Sequence, residues 1–199
     1  LISQKKISLN TRVRISKAAS TTEGSKMILK SGRSVRIRTL LKGLLVTSGN
    51  DAAIALAQGS VGSVKKFVRL MNQQARILGL KNTHFNNPNG LPSKNHYSSA
   101  KDLAILSNAF IKKMPSLYKI CKTKSIRWSR RTRNNTNKLL WKKLGVDGVK
   151  TGYTKNAKFC LVASAIKNRK RLITVLLGAR TLPERFSLSE KMLKYGFRY

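Results

Sequence analysis

Ser48, Gly49 and Asn50 interrupt an otherwise apolar run, "LLVTSGNDAAIALA", and one hundred residues after Asn50 the tripeptide Lys150-Thr151-Gly152 stands in "GVDGVKTGYT". Gly weakens a helix, and an unpaired polar group costs roughly 1–3 kcal/mol to bury, so Ser-Gly-Asn-Asp in the middle of such a run is there for its polar groups. A hydroxyl, a carboxamide and an ammonium are groups that pass on a proton or hold an anion. Either tripeptide alone is weak evidence; the chemistry requires a fold that brings the two together. Metal chemistry is not indicated, because His84, His96, Cys121 and Cys160 show no ligand spacing. Two cysteines are also too few for a disulfide framework, and both thiols read as structural. No cofactor is expected.

The elements that must position these groups can be read from periodicity. Ile37, Leu40, Leu41, Leu44 and Leu45 fall at helical spacing and predict a helix running into Ser48, and a second helix starts near Asp51. Val64, Phe67, Val68, Met71, Ala75 and Leu78 predict an amphipathic helix closed by Gly79. "NTHFNNPNGLPSKNHY" is a loop, after which Ser99 and Asp102 read as a capping box for a helix through Leu103, Leu106 and Phe110. The last third changes to short β-prone runs, "GVDGVKTGYT", "KFCLVASAI" and "RLITVLLGA", the last two joined by "KNRK" as a hairpin loop. Few polar residues occur in the last two, which predicts a sheet covered on both faces. A closing helix runs from about Pro183 to Leu193, with Gly196 ending it. Helices followed by an antiparallel sheet and a terminal helix make an α+β, layered α/β/α domain.

One domain suffices for 199 residues, and a hydrophobic fraction of 41% argues against disorder. No apolar run reaches the ~18 residues of a membrane span, and the opening "LISQKKISLN" lacks the apolar core of a secretory signal. The outlying quantity is charge: 42 Lys and Arg against 6 Asp and Glu give +36. Such a field draws any polyanion. The cations are spread along the chain, with one local cluster at "RWSRRTR", which reads as a solvated basic face because a nucleic-acid site would concentrate charge and interleave aromatics. Weak, salt-sensitive and unselective nucleic-acid binding is expected, with no specific nucleic-acid partner. The crowd of cations should also depress the pKa of Lys150.

The two tripeptides in this order resemble two of the S-x-x-K, S-x-N and K-T-G motifs of the penicillin-recognising serine enzymes. With "AASTTEGSKMIL", "LGLKNTHFNNPNGL", "YSSAKDLA", "NTNKLLW", "FCLVASA" and "KYGFR", the chain is similar over nearly all its length to the low-molecular-mass D-alanyl-D-alanine carboxypeptidases. The resemblance implies a β-lactamase/transpeptidase-like domain in which a serine attacks the penultimate D-Ala carbonyl and forms an acyl-enzyme. Ser48 would relay a proton to the departing D-Ala, and Asn50 would bond the substrate amide and the active-site lysine. Lys150 and Thr151 would meet the substrate's anionic end. Gly152 would let the strand edge lie against substrate, the N–H of Tyr153 would supply half of the oxyanion hole, and Arg185 would grip the terminal carboxylate.

The family's nucleophile and its lysine lie on a buried helix upstream of a "TEGS" segment like Thr22 to Ser25, so the chain reads as a partial catalytic domain over residues 1–199. It would lack the N-terminal strands and the nucleophile helix, and be inactive as it stands. S-x-x-K matches at Ser63, Ser98, Ser116 and Ser164 come too late in the chain, and Ser3 lies in a stretch too short and polar for the required helix. Thr136 stands where some members carry Arg, and neither the C-terminal β domain nor the amphipathic anchor of many members is expected here. The implied partners are the D-Ala-D-Ala stem peptide of peptidoglycan and, given the nucleophile, β-lactams; the implied location is outside the cytoplasmic membrane of a bacterium. Three other readings compete. A β-lactamase would need a base for deacylation, and Asp51, Asp102 and Asp147 all have other duties. The other two are a non-catalytic peptidoglycan binder or decayed fragment, and a basic polyanion binder.

Overall fold

Strand β6 (Lys158–Lys167) organises one half of the molecule, and its side chains divide between two helical layers. Leu161, Ala163 and Ala165 form a core cluster with Leu193 of helix α7 (Leu182–Gly196), whereas Ser164 faces the opposite side and accepts a hydrogen bond from Arg171. Burial on both faces explains the near-continuous apolar run, as an exposed face would demand alternation. β6 pairs antiparallel with β5 (Val146–Thr154) on one side and with β7 (Lys170–Ala179) on the other, so the sheet order is β5-β6-β7. The second layer is α5 (Ala100–Lys113) with the short α6 (Pro115–Tyr118), where the rings of Phe110 and Tyr118 meet edge to face at 5.6 Å. The computed structural model describes residues 1–198, and this α/β/α layering is the α+β class expected from the sequence.

The other half is helical. α2 (Ile37–Thr47), α3 (Asn50–Val61) and α4 (Val64–Ile77) follow one another, α1 (Lys17–Thr21) lies against α3, and a small ribbon of β1 (Arg12–Arg14) with β2 (Ser34–Arg36) closes the layer. Ile15, Met27, Ile37 and Leu40 are at the centre of its core, each at most 1% exposed. Ile2, Ile7 and Leu9 from the opening segment pack on its edge.

One local outcome differs from the sequence reading and two refine it. Ser99 caps α5 by accepting the N–H of Asp102, but the Asp102 carboxylate does not complete a capping box; it accepts from the Asn82 N–H and the Thr83 hydroxyl, tying down the loop before the helix. "RWSRRTR", read as a solvated basic face, does expose Arg127, Arg130 and Arg131, and its backbone is a β-hairpin: β3 (Ser125–Trp128) pairs with β4 (Arg131–Asn134), with Ser129 and Arg130 both at positive φ in the turn. Such a turn is normally marked by Asn or Gly, and neither is present. "KNRK" is the hairpin loop expected, drawn tight: Lys167 and Lys170 already pair and only Asn168 and Arg169 turn.

Candidate functional site

Helix α2 ends at Ser48, which takes the left-handed conformation (φ 57°, ψ 38°) and donates its N–H to the Gly43 carbonyl. Gly49 donates to the same carbonyl at 3.1 Å, and α3 begins at Asn50. The turn is held by Asp51, 0% exposed, whose carboxylate accepts the N–H groups of Met27 (2.9 Å), Leu29 (3.0 Å) and its neighbour Ala52 (2.9 Å). A carboxylate bonded to several backbone donors needs no counter-cation. Asn50 fastens the adjoining segment: its N–H donates to the Ser25 carbonyl (2.7 Å) and its amide to the Glu23 carbonyl (2.8 Å). The stretch from Glu23 to Leu29 is thus sewn to the helix-to-helix turn.

The sheet meets this turn at its β5 edge. Lys150 extends its amine to the Ser48 hydroxyl (2.7 Å) and donates also to the Thr151 carbonyl (2.9 Å). The pKa of Lys150 falls to about 8, first because burial strips water from the ammonium and second because Arg185 repels it. The direction agrees with the sequence reading, but desolvation leads and the crowd of cations is secondary. Thr151 donates its hydroxyl to the hydroxyl of Thr136 at 2.7 Å, so a short hydrogen-bonding side chain flanks the strand here. A Cβ on Gly152 would touch only the Cβ of Cys160, at 3.7 Å, so this edge is open beside the residue.

A cluster on the buried side fixes the start of the same strand. Asp147 accepts from both terminal nitrogens of Arg171 (3.0 and 2.8 Å) and from the Tyr118 hydroxyl (2.6 Å), and the Arg171 guanidinium lies 5.5 Å from the Tyr118 ring centre. Burial and the bond to Asp147 raise the Tyr118 pKa well above that of a free phenol. Asn137 donates to the Gly148 carbonyl at 3.0 Å, and a Cβ on Gly148 would stand 2.5 Å from the Tyr118 oxygen, so only glycine fits. Lys150 therefore leaves a strand gripped from both sides two residues earlier. Behind it, the buried Cys121 thiol is pushed up to about 12, mainly by desolvation and then by Asp147.

Arg185, on the first turns of α7, is 5% exposed. It donates to the Gly152 carbonyl (3.2 Å), lies 4.6 Å from the Phe186 ring and 5.6 Å from that of Phe159, and keeps its Nε–H buried with no partner among the described residues. Its pKa is lowered by desolvation. Tyr153 is more than half exposed and stacks on Phe159. The structure thus brings Ser48, Lys150 and Thr151 together and sets Gly152 and Arg185 beside them, while the Asn50 amide donates to the Glu23 carbonyl.

The S-x-x-K serines are engaged elsewhere. Ser63 caps α4, Ser98 bonds Thr83, Ser164 accepts from Arg171, and Ser3 and Ser116 are exposed on other segments. The three carboxylates between the tripeptides are also occupied: Asp51 by backbone, Asp102 by Asn82 and Thr83, Asp147 by Arg171 and Tyr118. Tyr118 and Arg171 went unread as site neighbours. The visible signal was Asp147, conspicuous in a chain with so few acids and three residues from Lys150. A groove of about 540 Å³ runs along the far strand β7 and includes none of these residues. Among the described residues no group of three or more His, Cys, Asp or Glu could hold a metal ion, and no helix is long and apolar enough to cross a membrane.

A family model described as D-alanyl-D-alanine carboxypeptidase matches residues 2–181. The D-alanyl-D-alanine carboxypeptidase DacF of Bacillus subtilis (strain 168) is 43% identical over 197 residues, covering 96% of this chain and 50% of its own length. The D-alanyl-D-alanine carboxypeptidase of Streptomyces sp. (strain K15) is 36% identical, covering 99% of this chain and 74% of its own. Penicillin binding protein 5 from Haemophilus influenzae superimposes with a TM-score of 0.96 at 40% identity, over 99% of this chain and 59% of that one. The chain spans about half the length of most of the curated relatives it matches.

Proposed function

Because the chain belongs to the D-alanyl-D-alanine carboxypeptidase family, we propose that it forms part of a site that removes the terminal D-Ala from peptidoglycan stem peptides through an acyl-serine. One observation carries the reading: the Lys150 amine on the Ser48 hydroxyl at 2.7 Å, joining the two motifs at an open strand edge. With a pKa near 8 the amine exchanges its proton easily near neutrality. As a neutral amine it accepts from Ser48 while still donating to the Thr151 carbonyl, and as an ammonium it donates to both. Ser48 can therefore hand a proton to a departing amine and draw a replacement from Lys150.

The substrate's terminal carboxylate is assigned to Thr151 and Arg185, a reading supported by the unpartnered Nε–H of Arg185 beside Gly152. Gly152 leaves room for substrate, and the N–H of Tyr153 is the proposed half of an oxyanion hole. Asn50 would reach the substrate amide after releasing Glu23. The nucleophile is assigned to residues outside 1–199, since none of the S-x-x-K serines stands at the Ser48–Lys150 contact. Residues 1–199 are then one partial catalytic domain, β-lactams its covalent inhibitors once the nucleophile is present, and the space outside the cytoplasmic membrane its place of work.

Fluorescent penicillin tests both parts. The 199-residue chain should stay unlabelled, and a form extended upstream to include a Ser-x-x-Lys should be labelled and should release D-Ala from a peptide ending in D-Ala-D-Ala. Labelling of the short chain would refute the nucleophile assignment. An extended form that neither labels nor releases D-Ala would refute the activity.

A further inference from the structure

The six carboxylates of this chain are nearly all consumed by its own architecture. Asp51 and Asp102 bind backbone N–H groups, Asp147 holds Arg171 and Tyr118, Glu184 completes the capping box of α7 with Thr181, and Glu190 pairs with Lys142 and Lys194. Among the described residues only Lys142, Lys194 and Arg171 are in ion pairs, out of 42 basic side chains. The exterior is left with almost no negative charge to offset the cations, so a face that also exposes apolar side chains is distinguished from the rest.

Helix α4 is such a face. Its inner side packs on α3, and Asn72 binds it through two hydrogen bonds to the backbone of Phe85. Its outer side exposes Lys65, Lys66, Arg69 and Arg76, no acid occurs anywhere in the helix, and none of these cations is in an ion pair among the described residues. Within this field stand Leu70, 38% exposed, and Ile77, 66% exposed. Seven residues is close to two helical turns, so these two side chains line up in one stripe, and Lys66 lies one turn before Leu70 on the same side.

We infer that the outward face of α4 docks on an anionic phospholipid bilayer, with Leu70 and Ile77 entering the headgroup boundary and Lys65, Lys66, Arg69 and Arg76 on the phosphates. A soluble polyanion would use the cations and gain nothing from the two apolar side chains, whereas a bilayer uses both. Long cationic side chains keep their heads at phosphate level while their stems cover the apolar stripe. The inference is independent of the carboxypeptidase reading.

Co-sedimentation with phosphatidylcholine vesicles, with and without phosphatidylglycerol, tests it at about 0.15 M salt, where distant charges are screened. Binding should require phosphatidylglycerol. Leu70→Ser/Ile77→Ser should raise the lipid needed for half-binding about fivefold, and Arg69→Gln/Arg76→Gln about tenfold. The control Arg127→Gln/Arg130→Gln removes the same charge from the exposed β3–β4 hairpin and should change it by less than about threefold. Full retention of binding by the serine variant would make the surface a simple polyanion site and overturn the inference. So would an equal loss in the two charge-matched pairs, or equal binding to vesicles without phosphatidylglycerol. Thermal melts of each variant verify folding, which substitutions at exposed positions should leave intact.

Discussion

On the helical side of the candidate site Asp51, in no ion pair among the described residues, gathers three backbone N–H groups; on the sheet side Asp147 is held by the side chains of Arg171 and Tyr118. The difference lies in what each acceptor must satisfy. Backbone donors cannot rotate away, and if they are left alone in a buried place each costs about 1–3 kcal/mol. The Arg171–Asp147 pair is about a quarter exposed, so water can take over part of its duty. The wall presenting the Ser48 hydroxyl is therefore fixed by its own main chain, and the wall presenting the Lys150 amine is fixed by a replaceable clamp.

That contrast can be broken from either side. Asp51→Ala should have the largest effect, about 3–4 kcal/mol of stability lost in denaturant unfolding, because it strands several buried donors at once. Lys150 comes next. The folded amine binds its proton less tightly than the unfolded one, so between pH 8 and 10.5 the unfolded state holds more protons and stability rises with pH. Below that window the penalty is complete, roughly 3 kcal/mol. Lys150→Met should lack this rise, and subtracting its unfolding curve from that of the parent isolates it from the other lysines.

Asp147→Asn should lose about 1–2 kcal/mol, and a double-mutant cycle with Arg171→Met should recover about 1 kcal/mol of coupling that shrinks with salt. A cycle energy near zero would mean that the clamp is formed by Tyr118 alone. Thr136→Val should be mildest, about 1 kcal/mol or less from one hydroxyl pair, with the Lys150 titration unmoved when followed by NMR. A shifted titration would show that Thr136 reaches the amine through Thr151.

Legibility followed the length of the pattern. α2, α4 and the three strands of the main sheet show several repeats of their period, and their places in the sequence match those in space. The β1–β2 ribbon offers three residues per strand, too few to show alternation, and the β3–β4 turn uses Ser129 and Arg130 where glycine or asparagine would have marked it. In the site, Ser48, Lys150 and Thr151 were readable because two motifs with fixed order carry them. The Asp147 clamp was not, since its members Tyr118, Asp147 and Arg171 are spread over three elements and no local spacing links them. Nor could the motif show where the Asn50 amide points, because its partner is a carbonyl, and every residue has one.

The contact between Lys150 and Ser48 joins positions 102 residues apart. It closes only after the sheet and the helical layer have docked, so a partly assembled chain must carry Lys150 with the basicity of any other surface lysine. The amine's titration is therefore a clock for folding: followed during refolding by a pulse of acylating reagent, Lys150 should gain reactivity near neutral pH in the final step, when water leaves it.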